Sequence, residues 1–139
     1  HQPVYLVGAR SDVLSQVRGK LAGLFGVNVV GMHDGFFSAA QQNELIQRIK
    51  MSGARIVTVA MGSPRQEFFI RQCRQAYPDA FYMGVGGTYD VFSGSVRRAP
   101  SWARRLNIEW LYRLLANPSR AVRQLVLLKY LWLFLVRRL

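Results

Sequence analysis

Short apolar runs alternate with segments of helical periodicity along the first 85 residues, and this alternation constrains the fold most strongly. Strands are predicted at Val4–Val7, Val27–Gly31, Ile56–Met61 and Ala80–Val85. Helices are predicted between them, at Asp12–Leu24, Ser38–Met51 and Gln66–Ala76. Ser38 is suited to be the N-cap of the second helix. Strands joined by helices through short connections predict a Rossmann-like parallel sheet with helices on both faces.

The alternation ends near Gly94, and the remainder of the chain has a different character. Helices without intervening strands are predicted at Pro100–Leu106, Ile108–Leu115 and Pro118–Leu139. We therefore divide the chain into an α/β part, residues 1–96, and a helical appendage, residues 97–139. Because the sequence begins at His1 and enters a strand almost at once, we expect residues 1–96 to be the C-terminal part of a larger α/β domain.

Basic residues are concentrated in the appendage. The net charge is +12, yet residues 1–96 contain nine Lys and Arg against six Asp and Glu, whereas residues 97–139 contain ten against the single Glu109. Nearly all the appendage cations are arginines, which suit bidentate contact with phosphate. The imbalance indicates an anionic partner, and the composition leaves open whether this is membrane lipid, a diphosphate or nucleic acid.

The last helical segment is almost wholly apolar. Leu125–Val136 contains one charged residue, Lys129, and is followed by Arg137 and Arg138. Its helical length is about 18 Å, which is short of the ~30 Å hydrocarbon core, so the segment is not expected to span a bilayer. Apolar residues on nearly every side fit a helix in the membrane interface, or one packed against a partner or in the core of a larger protein.

Three loops follow the carboxyl ends of predicted strands, where open parallel sheets bind ligands. They are Met32–Phe36, Gly62–Glu67 and Gly84–Asp90. Asp34 in the first loop either holds a ribose or forms a simple turn with Gly35, and the turn is favoured. His1, His33 and Cys73 do not make a set of metal ligands, so neither a metal site nor a cofactor is predicted. The single cysteine also favours a reducing compartment.

The Gly62–Glu67 loop leads into a predicted helix N-terminus. Exposed amides and the helix dipole there suit a phosphate. Arg65 adds a positive charge, and Gln66 offers both a donor and an acceptor to a base or a sugar hydroxyl. Ordinary turn chemistry is the alternative, with Ser63 as the N-cap and Pro64 at the first helical position. From spacing alone the turn interpretation is favoured.

The Gly84–Asp90 loop contains three glycines in four positions, which permit close approach of a ligand or positive φ in a tight turn. It lacks the third glycine of a dinucleotide fingerprint and the Gly-Lys-Ser/Thr of a Walker loop. Asp90 is suited either to binding a sugar hydroxyl or to capping the next helix, and the residues leave both open.

Four motifs, in order and in spacing, resemble the WecG/TagA/CpsF glycosyltransferase family. They are VTVAMGSPRQE at Val57–Glu67, YMGVGGTYDVFSG at Tyr82–Gly94, RAP at Arg98–Pro100, and EWLYRLL with PSR and a further arginine over Glu109–Arg123. Each motif alone is weak, whereas four in register are specific. The resemblance extends from Val4 to Arg123 and more loosely through the last helix. The motifs resemble in particular those of members that act in enterobacterial common antigen synthesis.

The resemblance implies an inverting transferase without a metal requirement. Such an enzyme moves N-acetylmannosaminuronic acid or N-acetylmannosamine from a UDP-sugar to undecaprenyl-diphosphate-linked N-acetylglucosamine, in synthesis of bacterial surface polysaccharide. The resemblance also implies a peripheral protein on the cytoplasmic face of the inner membrane, with the inner leaflet as a partner. A homo-oligomer is compatible with the sequence. Because the proposed catalytic aspartate of the family lies in an N-terminal segment without counterpart here, we expect little or no turnover from this chain alone.

The resemblance also assigns residues to the site by position. The predicted catalytic residues are Gln66, Arg113, Arg120 and Arg123. The predicted substrate-binding residues are Gly62, Arg65, Gly86, Gly87 and Asp90. The glutamine matches one that the family places at its active site, and the three arginines match appendage residues thought to contact the diphosphate. Fixed guanidinium groups would stabilise charge that develops on a leaving UDP.

Two other functions compete with a transferase. A basic module would bind nucleic acid with an affinity that falls steeply with salt. However, the basic region here is strongly apolar, and its aromatic residues lie in a leucine-rich helix rather than on a stacking surface. A membrane-anchored structural protein with a degenerate nucleotide fold would not bind a UDP-sugar. We therefore expect a UDP-sugar, a lipid-linked acceptor and a membrane surface as partners, and no nucleic acid.

Overall fold

The computed structural model describes residues 2–96 together with Pro100, Arg105, Trp132 and Val136, of which the last three are helical. The chain divides into two compact units, His1–Arg97 and Arg98–Leu139. Apart from those four positions, the predicted appendage helices lie outside the described residues. Within the described part of the chain, no helix is long and apolar enough to cross a membrane.

Strands and helices alternate through the first unit. The strands are β1 (Val4–Gly8), β2 (Val29–His33), β3 (Ile56–Ala60) and β4 (Phe81–Gly84). The helices are α1 (Ser11–Phe25), α2 (Ala39–Met51), α3 (Arg65–Ala76) and α4 (Thr88–Ser93). The predicted alternation is confirmed from β1 to β4, with bounds that differ by one or two residues.

The four strands form one parallel sheet in the order β2-β1-β3-β4. β1 pairs with β3 in unbroken register, from Val4 opposite Ile56 to Gly8 opposite Ala60. After β1 the chain forms β2 on one side of β1, and it then crosses over to form β3 on the other side. The direction in which strands are added therefore reverses between β1 and β3. The predicted Rossmann-like α/β sheet is therefore confirmed.

Helices cover both faces of this sheet. On one face α2 and α3 pack around a buried cluster that includes Val7, Leu45, Ile49, Val59 and Phe69. On the other face α1 and α4 pack around a cluster that includes Leu6, Val13, Leu14, Val17 and Tyr89. Consecutive β1 side chains point to opposite faces and both faces are covered, so β1 is apolar at every position rather than at alternate ones.

Specific hydrogen bonds fix the ends of the helices. Ser38 caps α2 as predicted, since its Oγ accepts from the Gln41 amide at 3.3 Å while Gln41 Oε1 accepts from the Ser38 amide at 2.8 Å. Gly26 ends α1 in the left-handed conformation, with φ of 61°. The Val27 amide then donates back to the Leu21 carbonyl at 3.1 Å, which completes the cap.

Two elements differ from the sequence-based prediction. β2 begins at Val29 rather than Val27, because Gly26 and Val27 are used by the C-terminal cap of α1. Helix α4 was not predicted, because six residues are too few for helical periodicity to show. It ends at Gly94, whose φ of 89° requires glycine.

Candidate functional site

Four loops follow the carboxyl ends of the strands. As predicted, Met32–Phe36 follows β2, Gly62–Glu67 follows β3 and Gly84–Asp90 follows β4. The fourth, Gly8–Arg10, follows β1, beside the point where the strand order reverses. Open parallel sheets bind ligands at this edge and at this reversal. The carboxyl edge of the sheet is therefore the candidate site.

Backbone hydrogen bonds join these loops to one another and to the sheet. The Ala9 amide donates to the Ala60 carbonyl at 2.9 Å, and the Gly35 amide donates to the Ala9 carbonyl at 2.9 Å. Gly8 allows this approach, because a Cβ on it would lie 2.3 Å from the Ala60 carbonyl oxygen. The loops after β1 and β2 are thus held against each other, and the loop after β1 is held against the end of β3, by their main chains.

The β3–α3 loop turns at Gly62, which has a positive φ of 75°. The Gln66 amide donates to the Gly62 carbonyl at 3.0 Å, and this turn makes Arg65 the first helical residue. The Ser63–Pro64 peptide bond is cis, and Pro64 is the N-cap residue. The predicted cap at Ser63 and the predicted first helical position of Pro64 are therefore wrong, and no side chain caps α3.

Gln66 is buried between two of the loops, with 8% of its surface exposed. Its side-chain Oε1 accepts a hydrogen bond from the Gly86 amide at 3.1 Å. Its Nε2 donates to Glu67 Oε1 at 2.9 Å. The predicted catalytic glutamine therefore lies at the carboxyl edge, and its amide group joins the β3–α3 loop to the β4–α4 loop.

The β4–α4 loop is shaped by its own short hydrogen bonds and glycines. The Thr88 Oγ1 donates to the Val85 carbonyl at 2.6 Å, and Gly86 has a positive φ of 51°. Gly87 is the N-cap of α4, and Asp90 lies in the first turn and is partly buried. Asp90 therefore does not cap α4, whose N-cap is Gly87.

Helix α4 is short, and side chains from distant elements hold it. The Tyr89 hydroxyl is hydrogen-bonded to Thr58 Oγ1 and donates to the Thr58 carbonyl at 3.2 Å. Lys20 Nζ donates to the carbonyls of Phe92 and Ser93, both at 2.9 Å, at the other end of the helix. Burial raises the pKa of Tyr89 to about 12, so its hydroxyl stays protonated as an anchor rather than acting as a base.

Arg65 contacts the loop after β2. Its guanidinium carbon lies 5.4 Å from the centre of the Phe37 ring, and its Nη2 donates to the Phe37 carbonyl at 3.3 Å. The Phe37 ring also contacts His33 on one side and Phe69 on another. These contacts orient the exposed Arg65 side chain at the carboxyl edge. None of the contacts described for it is with a carboxylate, so its positive charge is available to a ligand.

Asp34 serves the turn after β2. Its Oδ1 accepts from the Phe36 amide at 2.9 Å, and its Oδ2 accepts from Ser11 Oγ at 3.1 Å. This is the turn that the sequence favoured over a ribose contact. The His33 Nδ1 lies 2.9 Å from the Asp34 carbonyl oxygen, which can only accept, so Nδ1 is the protonated ring nitrogen.

The loop after β1 brings charged residues to this edge that the sequence motifs do not indicate. Arg10 forms an exposed ion pair with Asp12, at 2.6 Å. The hydrogen bond to Asp12 raises the pKa of Arg10, and the negative charge of Asp90 adds a smaller contribution. Helix α1, which directly follows Arg10, packs against α4, which carries Asp90. A signal was present in the sequence, since Gly8 directly follows the first apolar run and Arg10 comes two residues later.

Other features of the described residues lie outside the carboxyl edge. No group of three or more His, Cys, Asp or Glu side chains in residues 2–96 could hold a metal ion. Cys73 is buried in the core, where burial raises its pKa to about 12. An open pocket of about 510 Å³ lies along α3, another of about 500 Å³ lies between α2 and α3, and Gln75 lines both. Because the sheet topology defines where ligands bind in this fold, neither pocket displaces the carboxyl edge as the candidate site.

The predicted site residues are only partly brought together. Gly62, Gln66, Gly86, Gly87 and Asp90 lie on the two loops that the Gln66 amide connects. Arg65 begins α3 beside them but reaches towards Phe37. The three predicted arginines of the appendage lie outside the described residues, at positions 113, 120 and 123.

This fold and edge define an α/β protein of the Rossmann-like class, with glycine-containing loops at the carboxyl ends of its strands. Residues 1–139 match the glycosyl transferase WecG/TagA/CpsF family. The match covers the whole chain, so the chain belongs to this family of glycosyltransferases. The resemblance drawn from the four sequence motifs is confirmed, and with it the general function of glycosyl transfer from a sugar donor to an acceptor.

Proposed function

We propose that this chain carries the donor-binding site of an inverting transferase that uses a UDP-sugar. The donor sugar is N-acetylmannosaminuronic acid or N-acetylmannosamine, and the acceptor is undecaprenyl-diphosphate-linked N-acetylglucosamine, as in synthesis of enterobacterial common antigen. Family membership supports transfer of a sugar. The observation that carries the proposed donor site is the hydrogen bond between Gln66 and Gly86, which fixes two loops against each other at the carboxyl edge.

The chemistry of the two loops suits a nucleotide diphosphate sugar. Gly62 and Gly86 expose backbone without side chains, so a ligand can approach closely. Arg65 and the N-terminus of the twelve-residue α3 supply positive charge for phosphate oxygens. The Asp90 carboxylate accepts hydrogen bonds from hydroxyls of a ribose or a sugar. Donors fixed in advance stabilise a leaving UDP without reorganisation.

The appendage is assigned to the lipid side of the reaction. Arg113, Arg120 and Arg123 would contact a diphosphate through bidentate hydrogen bonds. The apolar segment Leu125–Val136 would lie in the inner leaflet and hold the protein at the cytoplasmic face of the membrane as a peripheral protein. The base that deprotonates the acceptor hydroxyl is not assigned to a residue of this chain. The Asp34 carboxylate accepts hydrogen bonds from the Phe36 amide and from Ser11 Oγ, so it is engaged in the turn after β2.

Calorimetric titration with UDP and with the UDP-sugar tests the donor site. We expect Asp90→Asn and Arg65→Gln each to weaken UDP binding by about tenfold, since each removes a charged contact with the ligand. Arg48→Gln is the matched control, because Arg48 forms an exposed pair with Glu44 on α2 at 2.5 Å and should be neutral. Wild-type protein that binds neither ligand would refute the donor site and favour a structural protein with a degenerate nucleotide fold.

Transfer and membrane binding test the appendage separately. In the complete enzyme, Arg120→Ala should abolish transfer to the lipid-linked acceptor while leaving UDP affinity unchanged. Leu128→Glu together with Trp132→Glu should abolish sedimentation with anionic liposomes, because charges would enter the apolar segment. Liposome binding that persists in the double variant would contradict the interfacial helix. Salt-sensitive binding to DNA in place of UDP would instead support the basic module.

A further inference from the structure

Gln66 uses both ends of its side-chain amide within the protein. It is the second residue of α3 and is 8% exposed. Its Oε1 accepts from the Gly86 amide at 3.1 Å, and its Nε2 donates to Glu67 Oε1 at 2.9 Å. A buried amide whose acceptor and donor are both engaged is held in one orientation, because losing either partner would leave a desolvated polar group.

The Gln66 side chain lies against Gly84, which has no Cβ to collide with it. A Cβ on Gly84 would lie 2.7 Å from Gln66 Nε2 and 3.1 Å from Gln66 Cδ. Gly84 is not among the glycines with positive φ, so its backbone conformation would accept another residue. A side chain at position 84 would therefore displace the Gln66 amide from its present position. Gly86 differs, because its φ is 51° and a Cβ there would meet nothing within 4 Å.

We propose that Gln66 is a positioning residue that fixes the β4–α4 loop through Gly86, and that Gly84 is its necessary counterpart. In this proposal, which rests on the proposed donor site, Gln66 influences the donor through the shape of the glycine loop and does not contact it. The loop continues directly into Gly87, the N-cap of α4, and into Asp90 in the first turn. A shift of Gly86 would therefore change the shape of the glycine loop that leads to the carboxylate proposed to bind the donor.

The chemistry also explains why this position holds glutamine rather than glutamate. A carboxylate at position 66 would keep an acceptor for the Gly86 amide, but its second oxygen would face the carboxylate of Glu67. Like charges at hydrogen-bond distance repel, and burial strengthens the repulsion. Glu67 and Gln66 thus form a donor–acceptor pair whose members should be exchangeable only together.

The test combines a binding measurement with a local structural one. UDP affinity is measured by calorimetry, and exchange of the Gly86 amide hydrogen is measured by NMR. We expect Gln66→Ala and Gly84→Ala each to weaken UDP binding by about tenfold and to speed Gly86 exchange by a similar factor. Gly19→Ala is the matched control on α1, where a Cβ would meet nothing within 4 Å, and both quantities should match the wild type.

Two double variants sharpen the test. Gly84→Ala should add no further loss in the Gln66→Ala background, because the side chain that it would collide with has been removed. Gln66→Glu should be defective alone, and Gln66→Glu combined with Glu67→Gln should recover most of the UDP affinity and the protection of Gly86. Recovery of UDP affinity in this double variant would mean that residues 66 and 67 act together on the loop. If the Gln66 amide contacted the ligand directly, a carboxylate at position 66 would not restore that contact.

Two outcomes would overturn the proposal. The first is a loss of UDP affinity in Gln66→Ala with unchanged Gly86 exchange, which would mean that the glutamine contacts the ligand directly. The second is that the wild type binds UDP and that both single variants bind it with the same affinity. If the wild type does not bind UDP at all, the proposed donor site is refuted, and the Gly86 exchange still decides whether Gln66 fixes the loop.

Discussion

The side-chain Oε1 of Gln66 accepts a hydrogen bond from the backbone amide of Gly86, 3.1 Å away and 20 residues later in the chain. The two residues belong to loops that follow different strands, β3 and β4. The geometry of the candidate site therefore depends on contacts between loops as well as on the residues that would contact a ligand. Substitutions at such contacts should change stability or local order in ways that a matched control does not.

Gly8→Ala should be strongly destabilising. A Cβ there would lie 2.3 Å from the Ala60 carbonyl oxygen, and the φ of 110° is unfavourable for any other residue. We expect the free energy of unfolding, measured with urea, to fall by about 3 kcal/mol or more, since backbone cannot move aside as a flexible side chain can. Gly19→Ala on α1 should instead raise it by about 0.5–1 kcal/mol. A Gly8→Ala variant as stable as the wild type would contradict the close approach of β1 and β3.

Lys20→Met should loosen α4. Lys20 Nζ donates to the last carbonyls of this helix, those of Phe92 and Ser93, at 2.9 Å each. Removing the ammonium should lower the free energy of unfolding by about 1–2 kcal/mol and speed amide exchange in α4. Lys50→Met, at an exposed position near the end of α2, should change it by less than about 0.5 kcal/mol. Equal effects of the two substitutions would argue against this cap.

Ser38→Ala should remove a cap that the sequence already indicated. At the start of α2 the Ser38 side chain accepts a hydrogen bond from the Gln41 amide, and the Gln41 side chain accepts one from the Ser38 amide. Its loss should cost about 1 kcal/mol in the free energy of unfolding. Ser15→Ala is the control, because Ser15 lies inside α1 and its Oγ donates to the Ser11 carbonyl at 3.0 Å. That substitution should be neutral or slightly stabilising, and a similar loss at both positions would refute the capping role.

Cys73 should make stability depend on alkaline pH. Burial raises the pKa of its thiol from 9.0 to about 12, so the folded state keeps the proton that the unfolded state releases first. The contribution to stability is complete below about pH 9 and is lost as the pH rises towards 12. We expect a slope of up to about 1.4 kcal/mol per pH unit between these values, measured by urea unfolding. Tyr89 adds to the loss above pH 10, since its pKa is also raised to about 12.

Cys73→Ala is the comparison for this pH dependence. The variant should be less stable at pH 7 because it leaves a cavity, yet its stability should fall less between pH 9 and pH 10. Parallel pH profiles for the two proteins would show that the thiol does not contribute. The buried thiol should also react with a thiol reagent only after unfolding.

The elements from β1 to β4 could be predicted because their signals are local. Continuous apolar runs predict the strands, and helical spacing predicts α1 to α3. Ser38 marks the start of α2, because it forms a capping box with Gln41, three residues later. Helix α4 could not be predicted in this way. It is six residues long, and the partners that hold it, Thr58 and Lys20, are 31 and 72 residues away in the chain.

The candidate site was only partly predictable for a related reason. Sequence motifs identified the loops after β3 and β4 and the residues on them, including Gln66. They missed Arg10, which directly precedes α1 and is brought towards the helix of Asp90 because α1 and α4 pack against each other. They also assigned the helix start to Ser63 and Pro64, where the left-handed turn at Gly62 makes Pro64 the N-cap.

The sequence by itself determined that the chain alternates strands with helices, that its last third is basic and apolar, and that it belongs to a glycosyltransferase family. Only the tertiary structure showed that Gln66 is engaged within the protein, through its hydrogen bonds with Gly86 and Glu67. The strand order places Gly84 and Gly86 beside Gln66, and a side chain can then be enclosed by glycines 18 and 20 residues away. A local sequence pattern indicates the chemistry of a residue. Its hydrogen-bond partners depend on the order in which the crossover connections place the strands.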